Sequence, residues 1–294
     1  MSARGSTPVD GAPYEVSTPA EVRSWTTGRR EAGERIAFVP TMGNLHEGHL
    51  SLVRLAREYA ERVVVSIFVN PTQFGAGEDY GNYPRTIGED RRLLAGADTD
   101  LLFTPSAETV YPYGEAAATR LHVPGLSEDL CGRFRPGHFD GVASVVCRLF
   151  SMVGPEVAVF GQKDYQQFLI IRRMTRDLSM PIGIVLGPTV READGLACSS
   201  RNRYLTEAQR RTAPLLHTVL EEVREALVSG ERDFASLEGH ALTRLQKGGF
   251  APDYVGIRRA KDLGLPSGES HELVVLAAAR LGRARLIDNV LVRV

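Results

Sequence analysis

The sequence predicts an α/β protein in which a doubly wound, mostly parallel sheet is followed by a smaller α+β domain. Short apolar runs alternate with stretches of helical periodicity through the first two thirds of the chain, which is typical of a parallel sheet covered on both faces. After about Pro188 the pattern changes to two helices followed by strands. The chain has 294 residues, enough for one large domain or two ordinary ones.

The first strand, turn and helix are predicted at the start of this sheet. Residues 36–40 form an apolar run that ends in proline, as expected of a buried strand. The helical spacing that follows the turn is carried by Leu50, Val53, Ala56 and Tyr59. The continuous β-branched run over residues 63–69 reads as a second buried strand and completes a βαβ unit.

The same alternation repeats up to residue 188. Helices are predicted over residues 86–94, 142–153 and 165–178. Strands are predicted over residues 101–104, 157–160 and 182–186. We therefore expect a Rossmann-like sheet whose strands point the same way.

The last third of the chain predicts a small α+β domain. Thr206 and Gln209 have the spacing of a capping box, so a long helix is expected to begin there and run towards Ser229. A second helix is predicted over 234–246, and strands over 254–257, 272–278 and 284–294. The predicted division is a flexible N-terminal tail over 1–20, a Rossmann-like ligand-binding domain over 21–188, and a C-terminal α+β lid domain over 189–294.

Composition excludes several classes of protein. The formal net charge is −1, which argues against binding to nucleic acid or a membrane surface. No apolar run approaches the roughly 18 to 20 residues of a membrane span. Cys131, Cys147 and Cys198 are odd in number and widely separated, which argues against a disulfide framework or a structural zinc site. A reducing cytoplasm is the simplest setting.

The turn over residues 40–49 carries the most distinctive chemistry. It follows the first predicted strand, where ligands bind in open parallel sheets, and it opens a helix whose free N–H groups favour anions. Gly43 and Gly48 let the backbone approach a bulky ligand closely. His46 and His49 can point at the same phosphate and donate hydrogen bonds to it or to a departing pyrophosphate.

Three other interpretations of this turn compete with an anion site. A zinc site of the H-E-x-x-H type requires histidines four residues apart, whereas His46 and His49 are three apart. A P-loop requires Lys and Ser or Thr after the second glycine, whereas His49 and Leu50 stand there. An ordinary tight turn with surface histidines stays open on spacing alone.

Four further polar clusters are candidates for the same site. They lie at residues 68–74, 133–139, 161–167 and 198–203. Lys163 and Arg201 are suited to phosphate, and Gln73 and Gln167 to a neutral or hydroxylated substrate. Each cluster alone could equally be a solvated helix start, a basic turn or a polar linker. Those that follow strands are expected at one edge of the sheet, and this shared placement favours a nucleotide pocket.

These residues together resemble a known enzyme family. The turn over 40–49 resembles the HIGH-type signature of the nucleotidyltransferase superfamily, and Ser199-Ser200-Arg201 resembles its flexible phosphate loop. More narrowly, the chain resembles the pantothenate synthetase family, through the strings over residues 68–74, 137–142, 160–167, 191–196 and 199–205. The matching motifs span positions 38 to 205 in the expected order.

The resemblance implies an ATP-dependent ligase of two steps. ATP and (R)-pantoate would form pantoyl adenylate and pyrophosphate. β-Alanine would then attack the mixed anhydride, giving pantothenate and AMP. Adenylation gives the carboxylate a good leaving group, so no covalent protein nucleophile is needed.

The resemblance also assigns roles by position. His46, His49, Lys163 and Arg201 would be catalytic, with His49 as proton donor and Arg201 stabilising the departing pyrophosphate. The implied ATP-binding set is Met42, Gly43, His46, Gly48, His49, Gly161, Gln162, Lys163, Asp164, Val190, Cys198, Ser199, Ser200 and Arg201. Met42, Gln73 and Gln167 would bind pantoate, Gln73 would also approach β-alanine, and Tyr83 would lie near the entrance.

The expected metal site departs from the family pattern. Glu89 and Asp90 stand where an acidic pair is expected, and they are predicted to bind Mg²⁺, although Leu93 lacks the amide ligand of some relatives. Magnesium could instead be held chiefly by the ATP phosphates and water. Cys198 and Asn44 stand where relatives often have methionine and alanine. The family resemblance further implies a homodimer.

Two other functions compete with the ligase. Another nucleotidyltransferase would transfer a nucleotide to a phosphate, but the paired glutamines argue for a carboxylate substrate. A nucleotide-binding regulator without chemistry is disfavoured by the intact set of His46, His49, Lys163, Ser199 and Arg201.

Overall fold

The computed structural model describes residues 11–75 and 79–294. By the density of their internal contacts these residues form two compact units. The first comprises the described residues up to 122, together with 140–160 and 174–187, and the second comprises 123–139, 161–173 and 188–294. A boundary lies near 188, as expected, but two earlier segments, 123–139 and 161–173, also group with the C-terminal part of the chain.

The first unit is built on a six-stranded sheet, as predicted. The strands in chain order are β1 (Tyr14–Val16), β2 (Ile36–Thr41), β3 (Arg62–Ile67), β4 (Leu101–Phe103), β5 (Val157–Gly161) and β6 (Gly183–Gly187). Their spatial order is β1-β4-β3-β2-β5-β6, and the four pairs from β1 to β5 are parallel. The chain places β3 and β4 on one side of β2 and β5 and β6 on the other, so the order of the strands reverses at β2. Ligands bind at such a switch point in open parallel sheets.

Helices connect these strands in the predicted alternation. They are α1 (Pro19–Glu31), α2 (Glu47–Arg57), α3 (Ile87–Ala95), α4 (Ala107–Val110), α5 (Cys131–Phe134), α6 (His138–Val153) and α7 (Tyr165–Asp177). Helix α2 has a strongly one-sided apolar face, and its Val53 and Ala56 are buried. They join Ala37 and Val39 of β2 and Val63 and Val65 of β3 in one core, which anchors the strand, turn and helix that carry the histidines.

The predicted tail is wrong for residues 14–20. Residues 1–10 lie outside the described residues, but β1 pairs with β4 at the edge of the sheet, and α1 begins at Pro19. Local sequence explains why α1 begins there, because Thr18 and Glu21 form a reciprocal capping box and proline suits the first helical position.

The second unit contains a three-stranded antiparallel sheet with helices, as predicted for an α+β domain. Its strands are β7 (Ala251–Arg259), β8 (Glu272–Leu281) and β9 (Ala284–Arg293), in that spatial order. Its helices after residue 188 are α8 (Glu207–Thr212), α9 (Leu215–Val228) and α10 (Phe234–Lys247). Leu220 of α9, Leu245 of α10 and Val275 of β8 are fully buried in one core.

The single long helix predicted from Thr206 to Ser229 is instead two helices. The capping box of Thr206 and Gln209 is present, but α8 ends at Thr212 and α9 begins at Leu215. Pro214 stands between them, and proline lacks the N–H that would continue the first helix. Among the described residues, no helix combines the length and hydropathy that crossing a bilayer requires.

Candidate active site

The histidine turn begins where β2 ends, at Thr41. The Thr41 Oγ1 donates to the carbonyl of Ser66 at 2.8 Å and accepts from the N–H of Gly43 at 3.2 Å, so it links the turn to strand β3. Gly43 has φ of 77°, and a Cβ placed on it would lie 3.0 Å from both Asp90 Oδ2 and Ile67 Cγ2. Glycine is therefore needed at position 43 for the turn itself.

A buried carboxylate, that of Asp90 in α3, supports this turn. The N–H groups of Asn44 and Leu45 donate to its Oδ2 and Oδ1 at 3.0 and 2.8 Å. The hydroxyl of Thr86 also donates to it, at 3.2 Å to Oδ2. Asp90 is 1% exposed. Asn44 itself has φ of 52°, a conformation that asparagine tolerates better than most residues.

This arrangement does not fit the predicted binding of Mg²⁺ by Glu89 and Asp90. Both oxygens of Asp90 already accept hydrogen bonds inside the fold, whereas Glu89 is exposed on the helix surface. A hard cation prefers carboxylate oxygens that it can reach together with water. Over residues 11–75 and 79–294, no three His, Cys, Asp or Glu side chains cluster as a metal site.

The two histidines are oriented by backbone donors. His46 Nδ1 accepts from the N–H of Gly48 at 3.2 Å, and His49 Nδ1 accepts from the N–H of His46 at 3.4 Å. Their ring centroids are 4.1 Å apart. Because each Nδ1 accepts a hydrogen bond, the proton of each neutral ring belongs on Nε2. The turn thus favours two Nε2–H donors that lie close together, as a phosphate site requires.

The predicted pantoate residues Met42 and Gln73 are brought into contact. Gln73 Nε2 donates to Met42 Sδ at 3.1 Å. Gln73 lies in a short 3₁₀ segment, Pro71–Gln73, that follows β3 and is capped by the side chain of Asn70. Its side chain is buried. The third predicted pantoate residue, Gln167, belongs to the other compact unit.

Sequence reasoning did not identify Asn70, which orients Gln73. Asn70 Nδ2 donates to Gln73 Oε1 at 3.1 Å and to the carbonyl of Gly141 at 3.2 Å. Its Oδ1 accepts from Tyr111 Oη at 2.6 Å. The Asn-Pro pair before Gln73 was a local signal for such a cap. Tyr83, predicted near the entrance, is buried with its ring against Phe74.

The predicted phosphate lysine, Lys163, lies in the second unit, in a short 3₁₀ segment, Gln162–Asp164, whose backbone Asn289 holds. Asn289 Nδ2 donates to the carbonyls of Gln162 and Lys163 at 2.8 and 3.0 Å, and Asn289 is 1% exposed. Lys163 and Asp164 also line a partly open pocket. Its walls include the predicted Gln167, Arg135 and His138, and also Tyr254 and Arg285, which the sequence did not single out.

Asp164 sits in a positive field within this unit. Desolvation opposes its charged form, but the neighbouring Lys163, Arg201 and His138 outweigh that effect and lower the pKa of the carboxyl below its ordinary value. Lys163 Nζ lies 3.4 Å from Asp164 Oδ2. Asp164 is therefore ionised at neutral pH, and the influence of Arg201 on it links the clusters at 161–167 and 198–203 electrostatically.

The remaining predicted nucleotide residues follow one another in a short hairpin and turn. The N–H of Cys198 donates to the carbonyl of Val190 at 2.9 Å, so these two predicted residues are paired, and Arg191 bridges Ala197 beside them. Ser199 Oγ accepts from the N–H of Arg201 at 3.3 Å and caps the 3₁₀ segment Ser200–Tyr204. Arg191 also makes a two-pronged ion pair with buried Asp288.

Comparisons with known proteins identify the family of the chain. The family model described as pantoate-beta-alanine ligase matches residues 15–291. The pantothenate synthetase of Methylococcus capsulatus is 55% identical over 277 residues, covering 94% of this chain and 97% of that protein. The pantothenate synthetase of Stutzerimonas stutzeri is 54% identical over the same length, with the same two coverages.

Solved structures with a similar fold include two enzymes of the same kind. The crystal structure of pantothenate synthetase from Thermus thermophilus is 47% identical, with a TM-score of 0.87, and the match covers 94% of this chain and 98% of that one. A pantoate-beta-alanine ligase from Francisella tularensis, complexed with beta-gamma ATP and beta-alanine, is 32% identical, with a TM-score of 0.78 and coverages of 95% and 98%.

Proposed function

Because the chain belongs to the pantoate–β-alanine ligase family, we propose that it condenses (R)-pantoate with β-alanine to form pantothenate. The reaction converts ATP to AMP and pyrophosphate through a pantoyl adenylate. The observation that carries this proposal is the contact between Met42 and Gln73 in the unit that holds the paired histidines. A polar amide beside an apolar thioether suits pantoate, which has two hydroxyls, a carboxylate and two methyl groups.

The first step is attack of a pantoate carboxylate oxygen on the α-phosphorus of ATP. The new C–O–P bond forms as the bond from the α-phosphorus to the bridging oxygen breaks, and pyrophosphate leaves with the electron pair. Negative charge grows on the leaving group, so donors placed there lower the barrier. The Nε2–H groups of His46 and His49 stabilise the negative charge on the leaving pyrophosphate, and His49 is the proton donor.

The second step is attack of the β-alanine amine on the carbonyl carbon of the adenylate. The amide C–N bond forms, the C–O bond to AMP breaks, and the amine loses a proton. AMP therefore departs with one oxygen that came from the pantoate carboxylate. Gln73 holds the pantoate and lies close to the incoming β-alanine, and Gln167 contributes a second amide to pantoate.

The family resemblance assigns the nucleotide-binding residues by position. Gly43, Gly48 and the two histidines are among them. Lys163 and Arg201 supply positive charge to the phosphates, with Arg201 on the departing pyrophosphate, and ionised Asp164 accepts from the ribose hydroxyls. Backbone and small side chains complete the set, at Gly161, Gln162, Val190, Cys198, Ser199 and Ser200.

Three further properties belong to the proposal. Mg²⁺ accompanies ATP, held by phosphate and water, with no protein ligand assigned at residues 89–90. The protein is cytoplasmic, in keeping with its three widely separated cysteines, and forms a homodimer, as the family resemblance implies. Size-exclusion chromatography with light scattering measures the stoichiometry, and a monomeric mass would contradict the dimer.

One assay tests the proposed reaction. The purified protein is incubated with ATP, Mg²⁺ and pantoate, and the exchange of labelled pyrophosphate into ATP is followed before β-alanine is added. We expect exchange that requires pantoate, and then AMP and pantothenate in equal amounts once β-alanine is present. Exchange without pantoate would indicate another nucleotidyltransferase, and binding of ATP with no products would indicate a regulator.

A further inference from the structure

The carboxylate of Asp90 and the histidine turn form one connected structure in the first unit. The turn crosses from β2 to α2 through two consecutive residues with positive φ, Gly43 at 77° and Asn44 at 52°. Asparagine tolerates this conformation better than most residues, but it still costs more than an ordinary turn conformation and is stabilised by its surroundings. Two consecutive N–H groups at this point, those of Asn44 and Leu45, converge on the two oxygens of Asp90.

The supporting carboxylate is itself held firmly. Asp90 belongs to the first turn of α3, where the helix favours a negative charge, and its own N–H bonds to the carbonyl of Thr86 at 2.9 Å. The Thr86 hydroxyl donates to both of its oxygens, at 3.3 and 3.2 Å. At 1% exposure little water competes for these oxygens, so each of the hydrogen bonds to them is stronger than it would be at the surface.

The position of this support bears directly on the histidines. Leu45, whose N–H is held by Asp90, is followed immediately by His46, the residue that caps α2. The N–H of His46 in turn donates to His49 Nδ1. A displacement of the Leu45 backbone therefore moves both rings, and small errors in the placement of catalytic groups cost large factors in rate.

We propose that Asp90 is a positioning residue for His46 and His49, and that it acts through the backbone of the turn and not through Mg²⁺. This inference rests on the proposed adenylation function, because it assigns a rate effect to the histidines. It replaces the metal role that the acidic pair suggested. Its chemical reason is that Asp90 is 1% exposed and each of its oxygens already accepts from a turn N–H and from the Thr86 hydroxyl, so a hydrated cation has no open approach to them.

The test compares Asp90→Asn with Glu89→Gln in pantoate-dependent pyrophosphate exchange. In Asp90→Asn an amide N–H group faces one of the turn N–H groups, so the support is lost while the size of the side chain is kept. We expect kcat to fall by about 10², with much smaller changes in the KM for pantoate, and no recovery when Mg²⁺ is raised. Glu89→Gln should change kcat and the Mg²⁺ requirement little.

Opposite results would overturn the proposal. If Asp90 and Glu89 held the metal, both variants would need more Mg²⁺ for half-maximal rate, and excess Mg²⁺ would restore them. If Asp90 served folding only, Asp90→Asn would lower Tm with kcat intact at temperatures where it is folded. A wild-type protein without pantoate-dependent exchange would instead contradict the proposed function.

A spectroscopic measurement distinguishes failure of the positioning role from failure of the proposed function, because it needs no turnover. Imidazole ¹⁵N chemical shifts of His46 and His49 report which ring nitrogen carries the proton. We expect Asp90→Asn to move both away from the Nε2–H pattern, while Glu89→Gln leaves them in place. Unchanged shifts in folded Asp90→Asn would contradict the positioning role.

A second variant keeps the test decisive if Asp90→Asn does not fold. Thr86→Val removes the hydroxyl donor and leaves the carboxylate and both turn contacts. We expect a smaller loss of kcat, severalfold or less, again with no change in the Mg²⁺ requirement. A raised Mg²⁺ requirement in Thr86→Val would favour the metal role.

Discussion

The side-chain amide of Asn70 donates a hydrogen bond of 3.1 Å to the amide oxygen of Gln73. The orientation of the Asn70 amide is fixed by two other hydrogen bonds. Its Oδ1 accepts from Tyr111 Oη at 2.6 Å, and its Nδ2 also donates to the carbonyl of Gly141. Gln73 must therefore present its oxygen to Asn70 and its Nε2–H group to Met42. Gln73 therefore offers an N–H donor to a carboxylate or hydroxyl oxygen of the substrate.

Removal of Asn70 should weaken pantoate binding selectively. Asn70→Ala removes the donor that fixes the amide oxygen of Gln73, and the loss of one well-oriented hydrogen bond is worth about tenfold in affinity. We expect the KM for pantoate in pyrophosphate exchange to rise by about that factor, with the KM for ATP nearly unchanged. Tyr111→Phe, which keeps Asn70, is the matched control and should have a smaller effect. Equal rises in both KM values would contradict this account.

Asn289 should matter for the nucleotide instead. Asn289→Ala frees the carbonyls of Gln162 and Lys163, which the buried amide now holds. The 3₁₀ segment that carries Lys163 then loses its fixed position, and we expect a rise of about tenfold in the KM for ATP. The KM for pantoate serves as the internal reference. An unchanged KM for ATP in a folded variant would argue against this role.

Gly43 should tolerate no side chain. Gly43→Ala places a Cβ 3.0 Å from Asp90 Oδ2 in a residue with φ of 77°, and the left-handed conformation alone costs alanine about 1–2 kcal/mol. We expect a lower free energy of unfolding in urea and a loss of exchange activity. Gly28→Ala is the matched control. It lies inside α1 with open space around its Cβ, so it should stabilise the protein by roughly 0.5–1 kcal/mol.

His217 should make the protein less stable as the pH falls. Burial lowers the pKa of His217, and the adjacent Arg191 lowers it further, against the opposing effects of Asp288 and Glu221. The unfolded chain, with an ordinary pKa of about 6.5, then binds a proton at higher pH than the folded protein. The contribution of the neutral ring is complete above that value and is lost as the pH falls through it towards the folded pKa.

The measurement for His217 is urea unfolding at several pH values between about 7.5 and about 5.5, which bracket the ordinary histidine pKa. We expect the free energy of unfolding to decrease more steeply in the wild type than in His217→Gln, which cannot titrate. Parallel curves for the two proteins would show that His217 does not contribute to the pH dependence.

Much of the fold could be predicted because buried residues recur along the sequence with the period of the helix or strand to which they belong. The β-branched run over residues 63–69 and the spacing of Leu50, Val53 and Ala56 predicted β3 and α2 correctly. Strand β1 was missed because it has three residues at the sheet edge and only Val16 is buried. The break at Pro214 was missed because a capping box marks where a helix begins and says nothing about where it ends.

The site was harder to predict because partners meet across long stretches of chain. Asp90 and Glu89 form an acidic pair in the sequence, but only the fold reveals that Asp90 lies beneath Leu45, whose N–H it accepts. Asn289 is likewise 126 positions away from Lys163, whose carbonyl it holds. Residues that contact a ligand belong to recognisable motifs, whereas residues that position them are defined by their neighbours in space.

The fate of a carboxylate oxygen tests the central claim, adenylation of pantoate, most directly. Pantoate labelled with ¹⁸O in its carboxylate is turned over with ATP and β-alanine, and the products are analysed by mass spectrometry. If the carboxylate attacks the α-phosphorus, one labelled oxygen appears in the phosphate of AMP and the other stays in the amide carbonyl of pantothenate. Label in inorganic phosphate with ADP as the nucleotide product, or AMP without label, would contradict the adenylate mechanism.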